Sequence, residues 1–321
     1  MIKYIVKRFL QMFVVLFVVS LVVFILTNYI GDPISMLLPE DASEEEIQMA
    51  MERLGLDKPI HVQYGIFVRD ILSGDFGKSY VFSRPALGLI VERIPATLEI
   101  VITAMIMAIV LAIPLGVYAG AYPKRHSSKA IMAGSILGIS LPSFWVGMMM
   151  IYIFSVMLGW LPASGRGEAI EVFGIRLSIF SFSGWRHIIL PAFTLALSNI
   201  AMLLRLTRAG MQENMRLDYI KFARSKGVSS RKVLFGHALK NALIPVVTVF
   251  GVRIGGLIAF TTITETIYAW PGMGKLLIDS IYMADRPVIV AYLMMVAVIF
   301  VAINFIVDII YTIIDPRIEL R

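Results

Sequence analysis

The sequence predicts an all-α integral membrane protein with six transmembrane helices and both termini on the cytoplasmic side. Three observations carry this prediction. The 321 residues are 58% hydrophobic and only 16% charged, with a mean hydropathy of +0.82, far outside the balance of soluble domains. Six apolar stretches reach the ~20 residues that a helix needs to cross the hydrocarbon core. The basic residues gather in the segments that one topology places inside.

The first stretch covers residues 9–30 and is interrupted only by Gln11, Ser20, Thr27 and Asn28, with Lys3, Lys7 and Arg8 in front of it. It is too long for a cleaved signal, and Thr27-Asn28-Tyr29-Ile30-Gly31-Asp32-Pro33 offers no small residues at cleavage spacing, so it is expected to remain as an anchor. The further stretches are 97–121, 130–158, 188–204, 244–263 and 288–313. Pro114, Pro142 and Pro191 interrupt them and are expected to bend the helices. With the amino terminus inside, segments 1–8, 122–129, 205–241 and 314–321 hold 17 of the 29 Lys and Arg and four of the 22 acids. The outside segments hold 11 basic and 16 acidic residues. Inverting the topology would reverse that asymmetry. The domains expected are an anchor helix at 1–30, an external segment at 31–95, a five-helix core at 96–313 containing a cytoplasmic loop at 205–245, and a cytoplasmic tail at 314–321.

In the external segment, Ser43-Glu44-Glu45-Glu46 has the form of a capping box. Ile47, Ala50, Met51 and Leu54 follow at helical spacing, and Gly55 is placed to stop the helix. A short amphipathic helix is expected here. Asp57-Lys58-Pro59 and Ser73-Gly74-Asp75-Phe76-Gly77 read as turns.

The cytoplasmic stretch 205–241 carries nine basic side chains and two acids. Asp218 to Lys226 has helical propensity, Gly227 is a natural stop, Ser229 or Ser230 is placed to cap a second helix, and Arg231 to Leu243 continues towards Pro245. Two readings are open. A positive-inside loop of this kind is attracted to anionic lipid head groups. The interleaving of Ile220, Phe222, Ala223, Val228, Val233 and Leu234 with the charges instead suits a surface that docks protein.

The run Asp218-Tyr219-Ile220-Lys221-Phe222-Ala223-Arg224-Ser225-Lys226-Gly227, followed by His237-Ala238-Leu239-Lys240-Asn241-Ala242-Leu243-Ile244-Pro245, resembles the cytoplasmic coupling motif of binding-protein-dependent ABC importer permeases. It is most similar to the dipeptide, oligopeptide and nickel branch, and to the first permease of a two-permease system. The general motif has Glu-Ala-Ala and a Gly four residues on; here Lys221-Phe222-Ala223 and Gly227 keep only the last Ala and the Gly. Gly31-Asp32-Pro33, Leu54-Gly55-Leu56-Asp57-Lys58-Pro59, Gln63-Tyr64, Gly74-Asp75-Phe76-Gly77-Lys78-Ser79 and Pro95-Ala96-Thr97-Leu98-Glu99 are also similar. So are Ser140-Leu141-Pro142-Ser143-Phe144-Trp145, Leu161-Pro162-Ala163-Ser164-Gly165 and Glu265-Thr266-Ile267-Tyr268-Ala269-Trp270-Pro271-Gly272-Met273-Gly274.

The resemblance implies a type I ABC importer permease fold in a bacterial or archaeal plasma membrane. It implies a second homologous permease, two cytoplasmic ABC ATPases carrying ATP and Mg, and an extracytoplasmic substrate-binding protein as partners. Di- or oligopeptides, nickel chelates or oligosaccharides would be the solute. ATPase coupling would fall to Asp218, Tyr219, Ile220, Phe222, Ala223, Arg224, Ser225, Gly227, His237 and Pro245. The bend at Ser140 and Pro142, with Phe144 and Trp145 beside it, is the expected lining of the translocation path.

No enzymatic chemistry is legible. The chain has no cysteine, and its histidines, His61, His126, His187 and His237, lie far apart, so no metal site is expected. Gly274-Lys275 is the nearest approach to a phosphate-binding loop, but Leu276 stands where a hydroxyl residue belongs and Ala269 where the first Gly belongs. No cofactor is expected on this chain, and the +7 charge is assigned to the membrane surface rather than to nucleic acid. Arg253 and Asp308, both within spans, are expected to pair structurally. Glu99 is read as a wetted acid at a helix start, with His187 and Glu265 equally unremarkable. Gly116 and Gly120, Gly134 and Gly138, and Gly251 and Gly255 are spaced for close helix packing. The rival class is an ion-coupled secondary transporter, which would show repeated halves and embedded acids for coupling; neither is visible in the sequence.

Overall fold

A computed structural model describes residues 2–29 and 43–314. Gly31-Asp32-Pro33, the start of the external segment and residues 315–321 of the expected tail lie outside the described residues. Among the described residues, five helices are long and apolar enough to cross a membrane, and a bent pair makes a sixth span when counted as one. The chain divides into two compact units, Met1–Ile94 with Leu276–Arg321, and Pro95–Lys275.

In the first unit, α1 (Ile2–Tyr29) packs along α11 (Arg286–Ile314). Phe9, Leu10, Phe13, Val14 and Phe17 remain exposed, as a lipid-facing helix requires, while Val23 is buried with Val290 and Met294. Asp308 takes its cation from the first span, with Arg8 Nε at 3.2 Å. That is a different partner from the Arg253 expected from the sequence.

Outside the spans, α2 (Glu44–Leu54) forms the expected capping box: the Ser43 hydroxyl accepts from Glu46 N, and Ser43 N donates to the Glu46 carboxylate at 2.9 Å. Gly55, at φ +67°, ends the helix by donating to Glu52 O, while Leu56 N donates to Met51 O. A further helix, α3 (Ile60–Leu72), fills the interval between the two expected turns. Its Phe67 and Ile71 pack on Val23, and the Tyr64 and Ser20 hydroxyls bond at 2.8 Å. The Ser73–Gly77 turn is held by Gly77 N donating to Asp75 Oδ1. Beyond it, the Ser79 hydroxyl and Tyr80 N both donate to the buried carboxylate of Asp285.

The second unit is built around α7 (Phe182–Asn214), which packs against α10 (Leu239–Ile267), α5 (His126–Ser140) and α6 (Ser143–Met150). Close approach is literal at two glycines of α4 (Ala86–Ala121). A Cβ on Gly116 would sit 2.6 Å from Thr207 Cβ, and one on Gly120 would sit 2.6 Å from Met211 Cβ. This packing explains the small-residue spacing in that span.

The expected single span over 130–158 is in fact broken. α5 and α6 meet at 109°, because Leu141 and Pro142 are both extended (ψ 133° and 135°) and a residue before proline avoids the helical region. A π-helical turn, Ile151–Met157, completes the second arm. By contrast, Pro114, Pro191 and Pro245 sit inside continuous helices. An antiparallel hairpin, β1 (Ile170–Val172) and β2 (Ile175–Leu177), adds a small strand element to the expected all-helical fold. Its two turn residues, Phe173 and Gly174, have φ of +52° and +78°, the paired left-handed conformation that tight hairpins use.

Candidate coupling site

The basic cytoplasmic stretch folds as α8 (Asp218–Ser225), a tight reversal, α9 (Ser230–Lys232) and a π-helical turn, Val233–Ala238, that runs directly into α10. The reversal is set by Gly227 at φ +76°. Gly227 N donates to Arg224 O at 3.0 Å and Val228 N to Ala223 O at 3.2 Å, the double closure that a left-handed C′ residue permits. No neighbour lies within 4 Å of a Cβ placed on Gly227, so the glycine is needed for its backbone and not for space. Neither serine at 229–230 caps through its side chain as expected: Ser229 occupies the cap without a side-chain hydrogen bond.

The structure divides the expected coupling residues into two faces. Ile220 is 0% exposed and packs with Val117, Met211, Val233, Ala238 and Ala242; Ala223, Val228 and Leu234 lie against the same cluster. Ile220 and Ala223 are three apart, so they share the inner face of one helical turn. They anchor α8 to the body, and Ile220 is closed to a partner while Ala223 is half-buried. Tyr219, Phe222, Arg224 and Ser225 are exposed, Phe222 at 61%. The Lys226 ammonium sits 4.4 Å from the centre of the Phe222 ring. Tyr219 donates to Asn214 Oδ1 at 2.9 Å and accepts from Asn241 Nδ2 at 3.0 Å, tying α8 to the ends of two spanning helices. Asp218 is held below the usual carboxylate range by its hydrogen bond and ion pair with Lys221. His237 is half-buried in the π-helical turn, and Pro245 is exposed within α10.

The other candidates distribute elsewhere. Ser140, Pro142, Phe144 and Trp145 form the exposed break between α5 and α6. Arg253 is exposed and, with Arg205 and Arg208, lines a cavity of about 600 Å³ between α5, α7 and α10.

Two acids depart from the sequence reading. Glu99 is not wetted: it is 4% exposed. Its carboxylate accepts from Arg166 Nε at 2.9 Å and from the Ser178 hydroxyl and N–H, because the loop carrying the hairpin closes over the start of the span. Glu265 is fully buried and accepts from the Thr97 hydroxyl at 2.7 Å and Lys275 N at 3.0 Å. Thr97 in turn accepts from Met273 N, and Trp270 Nε1 donates to Ala96 O at 2.8 Å. A Cβ on Gly272 would overlap the Glu265 carboxylate. The Pro-Gly-Met-Gly turn is thus wrapped around a buried acid, the kind of site where each polar atom requires a partner. The signal for it was the Glu265 to Gly274 motif itself, in which Gly272 leaves room for the carboxylate and Gly274 for Thr262.

The profile of the binding-protein-dependent transport system inner membrane components matches residues 112–320, and that of their amino-terminal region matches residues 1–112. The chain belongs to this family. It is 36% identical over 322 residues to the glutathione transport system permease protein GsiC of Escherichia coli K12, covering all of both chains. It is 38% identical over 321 residues to the oligopeptide transport system permease protein AppB of Bacillus subtilis 168, covering 99% of this chain and 100% of that one. Among solved structures, the inward-facing MetNI methionine ABC transporter is similar at a TM-score of 0.54 and 17% identity, over 71% of this chain and 96% of that chain, a likeness of fold. The chain is therefore a multi-pass inner-membrane permease subunit of an ABC importer with a type I permease fold, a non-enzymatic component that works with an ATPase and a binding protein.

Proposed function

We propose that this permease forms half of the translocation path for di- or oligopeptides and receives the energy of ATP through α8. A second homologous permease forms the other half. Two cytoplasmic ATPases bind ATP and Mg and carry out the hydrolysis, and an external binding protein delivers the solute. The observation that carries this reading is the two-faced placement of α8. Ile220 and Ala223 hold it to the body, while Tyr219, Phe222 and Arg224 face outward as an aromatic and cationic surface suited to a protein cleft. Solvation alone leaves the exposed aromatic residues unexplained. The peptide class is supported by the names of the two relatives, which act on glutathione and on oligopeptides.

A conformational change in the ATPases would move α8 as a rigid body, since it is fixed at one end by the Gly227 reversal and at the other by the Tyr219 bonds. Because the segment after Gly227 continues into α10 without a loop, that movement enters a spanning helix directly. The Ser140 to Trp145 break is the proposed lining of the path. The test is reconstitution of the chain with its second permease, ATPases and binding protein. ATP hydrolysis stimulated by loaded binding protein should require this chain, and Phe222→Ala should weaken co-purification of the ATPases. Solute uptake by the lone chain down an ion gradient would overturn the reading.

A further inference from the structure

The cavity between α5, α7 and α10 is lined by three arginines. Arg205 and Arg208 stand about two turns inside the inner end of α7, and Arg253 about four turns inside that of α10. All three line the cavity, and among the described residues no acid lines it with them. The Nε of Arg208 is buried and has no hydrogen-bond partner among the described residues. A guanidinium donor left unsatisfied in the interior is costly, and a mid-span arginine facing lipid is costlier still. Water or an anion in the cavity would offer that donor an acceptor. Ser198 and Gln212 add neutral hydrogen-bonding groups to the same wall, and Met202 supplies an unbranched, adaptable surface.

We propose that this cavity is an anion-binding station on the inner half of the path and takes the carboxylate of the solute during transit. It rests on the reading of the chain as half of a peptide path. A planar carboxylate matches the fork of a guanidinium in a way that a lone cationic point charge does not. Two arginines on α7 and one on α10 hold the carboxylate from separate helices, so a relative movement of those helices separates the donors and releases it. Specificity for side chains is not required of such a site, because a free carboxyl terminus is common to all peptides.

The test uses the reconstituted importer with all its subunits and a peptide that the parent importer takes up both as the free acid and as its carboxyl-terminal amide. Arg253→Gln should lower uptake of the acid per ATP hydrolysed about tenfold, the loss of one charge-assisted hydrogen bond. Uptake of the amide should change less than about twofold, and Arg253→Lys should retain an intermediate preference for the acid. Arg205→Gln should act in the same direction. Equal loss for acid and amide would assign Arg253 to packing and overturn the proposal, as would no loss for either. Failure of the second permease to co-purify with the Arg253→Gln chain would show that the arginine pairs with an acid of that subunit. A loss confined to vesicles containing anionic lipid, and absent from pure phosphatidylcholine, would assign the site to a lipid head group. Both results overturn the proposal. If the parent importer fails to couple uptake to ATP at all, the proposed function fails instead.

Discussion

The helices α2 and α8 are closed by the same device and differ in what holds them. Each is a short amphipathic element outside the spans, and each ends in a left-handed glycine, Gly55 or Gly227, whose N–H and that of the next residue return to the last turn. α2 is stabilised from within, by its capping box and three acids in its first turn, which complement the positive end of the helix dipole. Its described side chains are exposed or half-buried. α8 has no side-chain cap and relies on Ile220, which is fully buried in the body. A helix that carries its own stability holds its shape wherever it sits. A helix that borrows stability from the body moves with the body, as an element that transmits force must.

The largest effect expected from this contrast is at Ile220. Ile220→Ala should cost about 2–5 kcal/mol, as for other fully buried aliphatic residues. α8 should detach, so that ATPase co-purification and stimulated hydrolysis are both lost. Hydrogen exchange at the amides of 218–226 would report the detachment, and retained protection there would contradict the anchoring role.

Gly227→Val comes next. It forces a β-branched residue into the left-handed region at about 1–2 kcal/mol, with no steric clash to add to it. Gly227→Asn should be milder, and the ratio of the two effects on hydrolysis measures how far the reversal itself matters. Gly55→Val imposes the same backbone cost on α2. It should lower exchange protection at 44–54 while ATPase association persists, since the contact proposed for the ATPases is on α8.

The smallest effect is at Glu46. Hydrogen bonds from Ser43 hold its carboxyl below the usual glutamate range. The capping contribution is therefore full above the ordinary glutamate pKa and is lost as pH falls through the depressed pKa of the folded helix. Glu46→Gln should flatten that acid-side dependence of exchange in the first turn of α2.

Much of this organisation was legible in the sequence because it is written in local terms. The capping box, Gly55 and Gly227 act within a few residues of themselves, and the spans announce themselves by length and apolarity. The two faces of α8 were partly legible, since Ile220 and Ala223 share a helical face, but nothing local says which face meets the body. The break at Leu141 and Pro142 was expected only as a bend. Apolar residues on either side of it, Ile136, Leu137 and Ile139 before and Phe144, Trp145 and Val146 after, favour a continuous helix, while Pro114 and Pro191, with the same chemistry, are absorbed without a break.

Glu99 and Glu265 were misread for a non-local reason. Their partners, Ser178 at one site and Thr97 at the other, lie 79 and 168 residues away in sequence, beyond the reach of any periodicity. A still longer separation in sequence hid the pairing of Asp308 with Arg8. Helix α3 was hidden between two turns whose signals were stronger than its own amphipathic pattern.

The direct passage from the π-helical turn into α10 has a mechanical meaning. α10 has 29 residues, and at about 1.5 Å per residue it is a rod about 43 Å long, so a tilt of about 5° at its inner end sweeps its outer end through about 4 Å. That outer end carries Glu265 and the turn wrapped around it. A small rotation imposed through α8, as proposed, would thereby be amplified into a displacement as wide as a peptide backbone at the opposite face of the membrane.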